Sequence, residues 1–202
     1  WRVARSSCVC ALPIVEHQTT YEAGLAEVRP SVTAGKTLVV FLGSNIGNFD
    51  PPGVDAFLAN VRASLGFGDA LFLGTDLVKP ESELLLAYDD PLGVTAAFNR
   101  NLLVRVNREL GGNFDITRFG HRAIWDAAES RVEMHLISLE RQRVRVAASE
   151  IDVTFEANEP IWTESSYKYR IEDVGSTLER AGFRVIGQWV ESGFALTLAE
   201  AS

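Results

Sequence analysis

Cysteine is scarce in this 202-residue chain, with Cys8 and Cys10 the only two. A C-x-C pair without further ligands nearby is a weak metal motif, and two thiols build no disulfide framework. Neither a metal site nor a secreted disulfide scaffold is expected, and a cytoplasmic location is the default. No apolar run approaches the roughly 18 residues of a membrane span, and the stretch from Cys8 to Val15 is broken by Pro13. Basic residues are in the minority, 19 Lys and Arg against 27 Asp and Glu for a formal charge of −8. That balance argues against nucleic acid as a partner and for a small molecule. The chain also lacks G-x-G-x-x-G and a P-loop, and adjacent Gly43-Ser44 cannot form a G-x-S-x-G nucleophile elbow.

What is present is the composition of an ordinary folded protein, 47% apolar and 23% charged. At roughly 150 residues per domain, the length suits one core with an inserted lobe. Residues 1–35 follow no clear period and the chain opens on Trp1, so they are expected to be an irregular remnant of a missing amino-terminal part. From Leu38 the pattern sharpens. Leu38 to Leu42 is a continuous apolar run, the mark of a strand buried on both faces, and Gly43 to Asn48 follows as a loop. Val54, Phe57, Leu58, Val61 and Leu65 repeat at helical spacing. Asp69 to Leu73 reads as a second strand ending in a Gly74-Thr75-Asp76 turn, and Lys79-Pro80 opens a helix through Tyr88.

Val94, Phe98, Leu102, Val106 and Leu110 mark the apolar face of a long helix that Gly111-Gly112 ends. The period then changes to alternation in Arg131 to Ile137 and Arg143 to Val146, continued by Ile151 to Phe155 and Ile161 to Tyr169. Ile171 to Ala181 returns to helix, and Phe183 to Val190 and Phe194 to Ala199 read as strands joined at Ser192-Gly193. The expected fold is α/β, a mostly parallel sheet from residues 36–111 and 169–202 with an antiparallel β-rich lobe over 112–168.

In open α/β sheets ligands collect beyond the carboxyl ends of the strands, which points to Gly43 to Asn48 and to Gly74-Thr75-Asp76, the second read first as a tight turn. The glycines, serine and asparagines of Gly43 to Asn48 leave backbone amides and carboxamides to meet a ligand. Acid and base candidates are Glu164, His121, His135, Asp89 and Asp90, while the three scattered histidines, His17 included, read as surface or core-edge residues. Tyr88-Asp89-Asp90 sets carboxylates at a helix carboxyl end, where the dipole disfavours them, a hint of function. Glu164, Ser166 and Lys168 alternate and would share one strand face, either a solvated face or a site.

Several segments occur in one order: Phe41-Leu42-Gly43-Ser44-Asn45-Ile46-Gly47-Asn48-Phe49, Gly74-Thr75-Asp76-Leu77-Val78-Lys79, Tyr88-Asp89-Asp90, Gly93-Val94-Thr95-Ala96-Ala97-Phe98-Asn99, Asn107-Arg108-Glu109-Leu110 and Thr163-Glu164-Ser165-Ser166-Tyr167-Lys168. Over about residues 36–200 the chain resembles the histidine-specific N-alpha-methyltransferases of ergothioneine biosynthesis. The resemblance implies a Rossmann-like class I methyltransferase sheet, here incomplete, with the lobe as a substrate-binding lid. It implies S-adenosylmethionine-dependent methylation of the α-amino group of L-histidine to N,N,N-trimethylhistidine (hercynine). Partners are then L-histidine, its N-methylated forms and, as a further candidate, other ergothioneine-pathway enzymes.

By the same resemblance Asn48 and Tyr88 hold the backbone end of the amino acid. Glu164 and Ser166, with Ser165 between them, bind the imidazole; Met134 lines the histidine pocket; and Gly43 borders both substrate and donor. No single residue is singled out as the catalyst. Of the family's donor-binding segments, the Gly-rich loop after the first strand and the acidic residue after the second have no counterpart. Thr20-Tyr21-Glu22 takes the place of an Asp-aromatic pair, with Thr20 where Asp is usual, and Asn45 stands where some relatives have Thr. Two alternatives stay open: a related amino-acid methyltransferase or fused ergothioneine or ovothiol pathway protein, and a non-catalytic fragment that binds an amino acid.

Overall fold

The computed structural model describes residues 14–27 and 35–202, so Trp1, Cys8 and Cys10 lie outside the described residues. The first unit is a sheet of four strands. β1 (Leu38–Phe41) pairs in parallel with β2 (Ala70–Asp76), and α2 (Pro51–Ser64) connects them; α1 (Tyr21–Glu27) precedes both. Asp50 caps α2, its carboxylate accepting from the Gly53 amide at 2.9 Å, with prolines at the first helical positions, where a missing N–H costs nothing. α2 buries Val54, Phe57, Leu58 and Val61, as the spacing predicts. Near the carboxyl end of the chain, α5 (Ile171–Arg180) buries Val174 and Leu178 and leads into β8 (Phe183–Glu191) and β9 (Phe194–Ala201).

The strand order is β1-β2-β9-β8, with β9 antiparallel to both its neighbours. Hence β1, β2 and β8 run one way and β9 alone is reversed, in keeping with the mostly parallel expectation. The core of this unit joins Phe41, Phe57, Leu58, Leu71, Leu178 and Phe183.

Four details differ from the sequence reading. Leu38, Val40 and Leu42 are half exposed, because β1 is an edge strand paired with β2 alone among the described residues, and alternate side chains leave the core. Gly74-Thr75-Asp76 is no turn but the end of β2. An added Cβ at Gly74 would come within 3.1 Å of the Phe194 ring, so Gly74 is small for packing. Asp90 is not misplaced: its carboxylate accepts from the Val94 and Thr95 amides at 3.0 and 2.8 Å, capping the helix that follows. α1, within the stretch read as irregular, buries no residue and so carries no amphipathic signal.

The second unit holds α3 (Glu81–Tyr88), α4 (Val94–Leu110), a sheet ordered β3-β4-β7 and a β5-β6 hairpin. β3 is Phe119–Asp126, β4 Arg131–Ser138, β5 Gln142–Val146, β6 Ile151–Phe155 and β7 Pro160–Tyr167. The lobe is antiparallel throughout, as alternation predicts. Its separate core joins Leu103, Phe119, Leu136, Val144, Val146 and Phe155. Leu103 comes from α4, so α4 packs with the lobe and the expected boundary at residue 111 lies after an element that already belongs there. The buried face of α4 is Asn99 and Leu103, whereas the stripe Val94, Phe98 and Leu102 is largely exposed.

The units meet along main-chain hydrogen bonds. Tyr169 N donates to Asp76 O and Val78 N to Tyr169 O, both at 3.0 Å, while within the lobe Lys168 N donates to Ser130 O at 2.7 Å. No helix among the described residues is long and apolar enough to cross a membrane.

Candidate active site

At that junction lies a cleft of about 430 Å³, within the size range of small-molecule sites. Gly43, Ser44, Asn45, Asn48 and Asp76 line it from the sheet unit, and Tyr88, Glu164, Ser166 and Lys168 from the lobe side.

The floor of the sheet side is fixed by backbone geometry. Gly43 and Ser44 take φ of +75° and +57°, a left-handed pair that turns the chain sharply off β1, and glycine enters that region without a Cβ penalty. Ser44 Oγ then accepts from the Asp76 amide at 2.8 Å, tying the loop to the end of β2, while Asn45 Nδ2 donates back to Leu42 O at 3.0 Å. Residues Asn45–Asn48 form a 3-10 turn whose Gly47 lies against β7: a Cβ there would fall 2.6 Å from Tyr167 O. This close approach carries Asn48 to the cleft rim, exposed, its carboxamide making no hydrogen bond among the described residues.

The lobe side is fixed by alternation. Glu164, Ser166 and Lys168 present to one side of β7 and its extension, and their cross-strand partners Met134 and Val132 are buried on the same face. Ser165 pairs with Glu133 and faces the other way, toward an Arg131–Glu133 ion pair at 2.7 Å. Ser165 is therefore set apart from the cleft by the two-residue period of a strand. Arg131 also donates to Tyr167 Oη at 2.9 Å, and burial presses the Tyr169 phenol above its usual range.

Tyr88 and Lys168 join the two sides. The Tyr88 hydroxyl donates to Ser166 Oγ at 2.7 Å, and Lys168 Nζ donates to Tyr88 Oη at 2.7 Å and to Ser166 Oγ at 2.8 Å. Lys168 also pairs with Asp76 Oδ2 at 3.2 Å, and Lys79 holds the other carboxylate oxygen at 2.7 Å. The carboxyl end of α3 is itself pinned by His121, which donates from Nε2 to Tyr88 O at 2.8 Å while Nδ1 accepts from Asn99 Nδ2 at 3.0 Å. Asn99 is buried on α4, so a carboxamide of the lobe fixes the imidazole tautomer that holds Tyr88.

Glu164 is the cleft's unpaired acid: its carboxylate makes no hydrogen bond or ion pair among the described residues. Burial pushes its pKa above the ordinary value, opposed by the nearby Lys168 charge. An acceptor without a donor, beside a hydroxyl, is a recognition surface for a polar ring.

The remaining expected residues fall in three places. Met134 is buried behind Glu164. Tyr21 heads α1, its ring edge-on to Phe41 at 5.3 Å, near the carboxyl end of β1, and Thr20 Oγ1 accepts from the Ala23 amide at 3.3 Å. His135 lies in the Glu133 cluster, away from the cleft, with Nε2 2.9 Å from Glu133 Oε2, and Asp89 stands 4.0 Å from His121 Nε2. Lys79 and Asn99 were not singled out as site residues by sequence reasoning; His121, an acid–base candidate there, instead holds the Tyr88 carbonyl, and Asp76, read as part of a turn, pairs with Lys168. Only the shared face of Lys168 with Glu164 and Ser166 was visible in the alternation.

The family model described as histidine-specific methyltransferase, SAM-dependent, matches residues 7–201. A histidine N-alpha-methyltransferase of Mycolicibacterium smegmatis is 49% identical over 167 residues, covering 82% of this chain and 52% of that protein. Ergothioneine biosynthesis protein 1 of Schizosaccharomyces pombe is 27% identical over 153 residues, 75% of this chain and 19% of that one. An L-tryptophan methyltransferase of Psilocybe serbica is 28% identical over 159 residues, 76% and 43% respectively. The chain spans about half the length of the Mycolicibacterium relative. The chain, with its mixed α/β sheet, belongs to the histidine-specific, SAM-dependent methyltransferase family.

Proposed function

We propose that the protein methylates the α-amino group of L-histidine with S-adenosylmethionine, through its N-methylated forms to N,N,N-trimethylhistidine, in ergothioneine biosynthesis. One observation carries the reading: an unpaired carboxylate and a hydroxyl on alternate residues of β7 face the same cleft as a free carboxamide from the sheet unit and a phenol from the end of α3. A cytoplasmic setting and other enzymes of that route as partners go with it.

Histidine is bipolar in the way this cleft is. Glu164 accepts one ring N–H and the Ser166 hydroxyl serves the other ring nitrogen, while Asn48 on the sheet side and Tyr88, whose hydroxyl stands 2.7 Å from Ser166 Oγ, hold the amine and carboxylate. Met134, buried behind Glu164, fills the wall on which the ring rests. Transfer of a methyl group to nitrogen needs a free amine lone pair held in line more than it needs a strong base, so the task of these side chains is alignment. Selectivity for histidine follows from buried polar groups that a ring without both nitrogens would leave unpaired.

The donor, when bound, supplies a methyl group on a sulfonium sulfur. Tyr21 and Gly43 fit its methyl-bearing end, since both stand at the carboxyl end of β1 and Gly43 offers main chain without a Cβ. Thr20 is engaged as the cap of α1. Neither Tyr21 nor Gly43 is asked to move a proton.

The test is histidine affinity and mass-spectrometric detection of methylated histidine in Asn48→Ala and Tyr88→Phe. Each lost hydrogen bond to a charged group is expected to cost about 1.5–3 kcal/mol of histidine binding, with donor affinity retained. Histidine dissociation constants equal to that of the unsubstituted protein would count against the assignment.

A further inference from the structure

A smaller pocket of about 170 Å³ opens between α4 and β7, and Glu164 lines both it and the cleft. It is below the size of sites that take whole small molecules, so it suits one substituent of a ligand held in the cleft. What it offers is fixed by hydrogen bonds that end on main-chain carbonyls, which only accept. The Asn99 group between His121 Nδ1 at 3.0 Å and His135 O at 3.3 Å must be the amide nitrogen, because an oxygen there would face the His135 carbonyl. His121 Nε2, 2.8 Å from Tyr88 O, carries the ring proton, so its Nδ1 accepts from Asn99 and the amide cannot turn over. Asn99 is 4% exposed and lines the pocket, and its remaining atom, Oδ1, has no donor among the described residues. The other polar groups agree: Thr163 Oγ1 gives its proton to Met134 O at 2.8 Å and is left an acceptor, and the Glu164 carboxylate is unpaired. Arg105 lies exposed at the rim, paired with Glu109 at 3.3 Å. Phe98 and Leu102, from the exposed stripe of α4, supply apolar walls. Three acceptors between apolar walls suit N–H donors on a planar group, and a buried acceptor without a donor is costly until one arrives.

We propose that this pocket is a subsite for an amino substituent on the ligand's ring, with Asn99 as its specificity-determining residue. The ligand class then extends from histidine to 2-aminohistidine, whose ring is a cyclic guanidine with an NH2 group on the carbon between the two nitrogens. A ring N–H stays on Glu164 while the amino hydrogens meet Asn99 Oδ1 and Thr163 Oγ1. The inference rests on the proposed histidine site and adds to it what lies beyond the edge of the ring.

The experiment titrates the protein calorimetrically with 2-aminohistidine and with 2-methylhistidine, which carries CH3 on the same ring carbon and differs little in size. The amino compound should bind on the order of 10- to 100-fold more tightly than the methyl compound. In Asn99→Leu that ratio should collapse to a few-fold. The two ligands share their amino-acid end, so any slackening of Tyr88 through His121, or any loss of stability, divides out of the ratio. An undiminished ratio in Asn99→Leu would mean that Glu164 alone pairs the amino group, and it overturns the subsite. Leu102→Trp, at a half-exposed position, serves in its place if Asn99→Leu does not fold: the indole fills the pocket and should lower affinity for 2-aminohistidine relative to histidine, and an unchanged relative affinity overturns the subsite as well. Equal binding of the amino and methyl compounds to the unsubstituted protein overturns the inference while leaving the histidine site intact. An unsubstituted protein that binds no histidine overturns the proposed function, and this inference with it.

Discussion

The two units furnish the cleft by different means. The β1-β2-β9-β8 unit contributes main-chain geometry: a left-handed Gly43-Ser44 pair, Gly47 pressed against Tyr167 O, and Asp76 at a strand end. The lobe contributes side-chain chemistry, Glu164, Ser166 and Lys168 set on one face by the two-residue period of a strand. On the first side, tolerance to change is governed by space and φ. On the second it is governed by donor and acceptor identity. Shape and selectivity therefore reside in separate cores that meet along a few main-chain bonds.

The strongest probe of that division removes one core side chain from each unit. Leu58 and Leu136 are fully buried, and Leu58→Ala and Leu136→Ala should each cost about 2–5 kcal/mol. Because the Tyr169 and Val78 amides and the Lys168–Asp76 ion pair stitch the units together, both variants should lower one common calorimetric transition. Two separate transitions would break the picture of a jointly built cleft.

Next in size is Gly47→Ala, whose Cβ would press on backbone rather than on a yielding side chain. Overpacking of this kind costs about 1–3 kcal/mol, and the shift of Asn48 should weaken histidine binding as well. Thermal unfolding and titration read the two effects.

Asp90→Ala tests a carboxylate whose sequence position suggested function and whose structure shows a cap. The backbone amides of Thr95 and Val94 hold its pKa down from 3.8 to about 2. A depressed folded-state value means that the cap's contribution is complete above the ordinary value and fades as the pH falls through the depressed one. The gap in melting temperature between the protein and Asp90→Ala should thus be full at neutral pH and close as the pH is lowered from roughly 4 to 2. A gap independent of pH would contradict the capping role. The smallest effect expected is that of Ser165→Ala, which should leave histidine affinity unchanged because Ser165 faces Glu133. A marked loss would show that β7 presents both faces to the ligand.

Much of this was readable from the chain, for reasons that particular elements make plain. α2 and α5 followed from helical spacing because their buried faces are wholly apolar. The lobe strands followed from alternation, which also placed Glu164, Ser166 and Lys168 together. α4 misled because its buried face includes Asn99, a polar residue satisfied by His121 and the His135 carbonyl, so hydrophobicity marked the exposed stripe instead. The pairing of Asp76 was hidden because its partner Lys168 belongs to another unit, 92 positions further along the chain. Pairing across units leaves no periodic trace in a sequence.

The proposal that the junction recognises histidine through its ring is tested most directly by titrating L-histidine into the protein and into Glu164→Gln, whose neutral amide can offer the ring N–H only one weaker acceptor. Affinity should fall by about 1.5–3 kcal/mol while the melting temperature stays close to that of the parent, since Glu164 has no partner among the described residues to lose. Equal histidine affinity in the two proteins would contradict it.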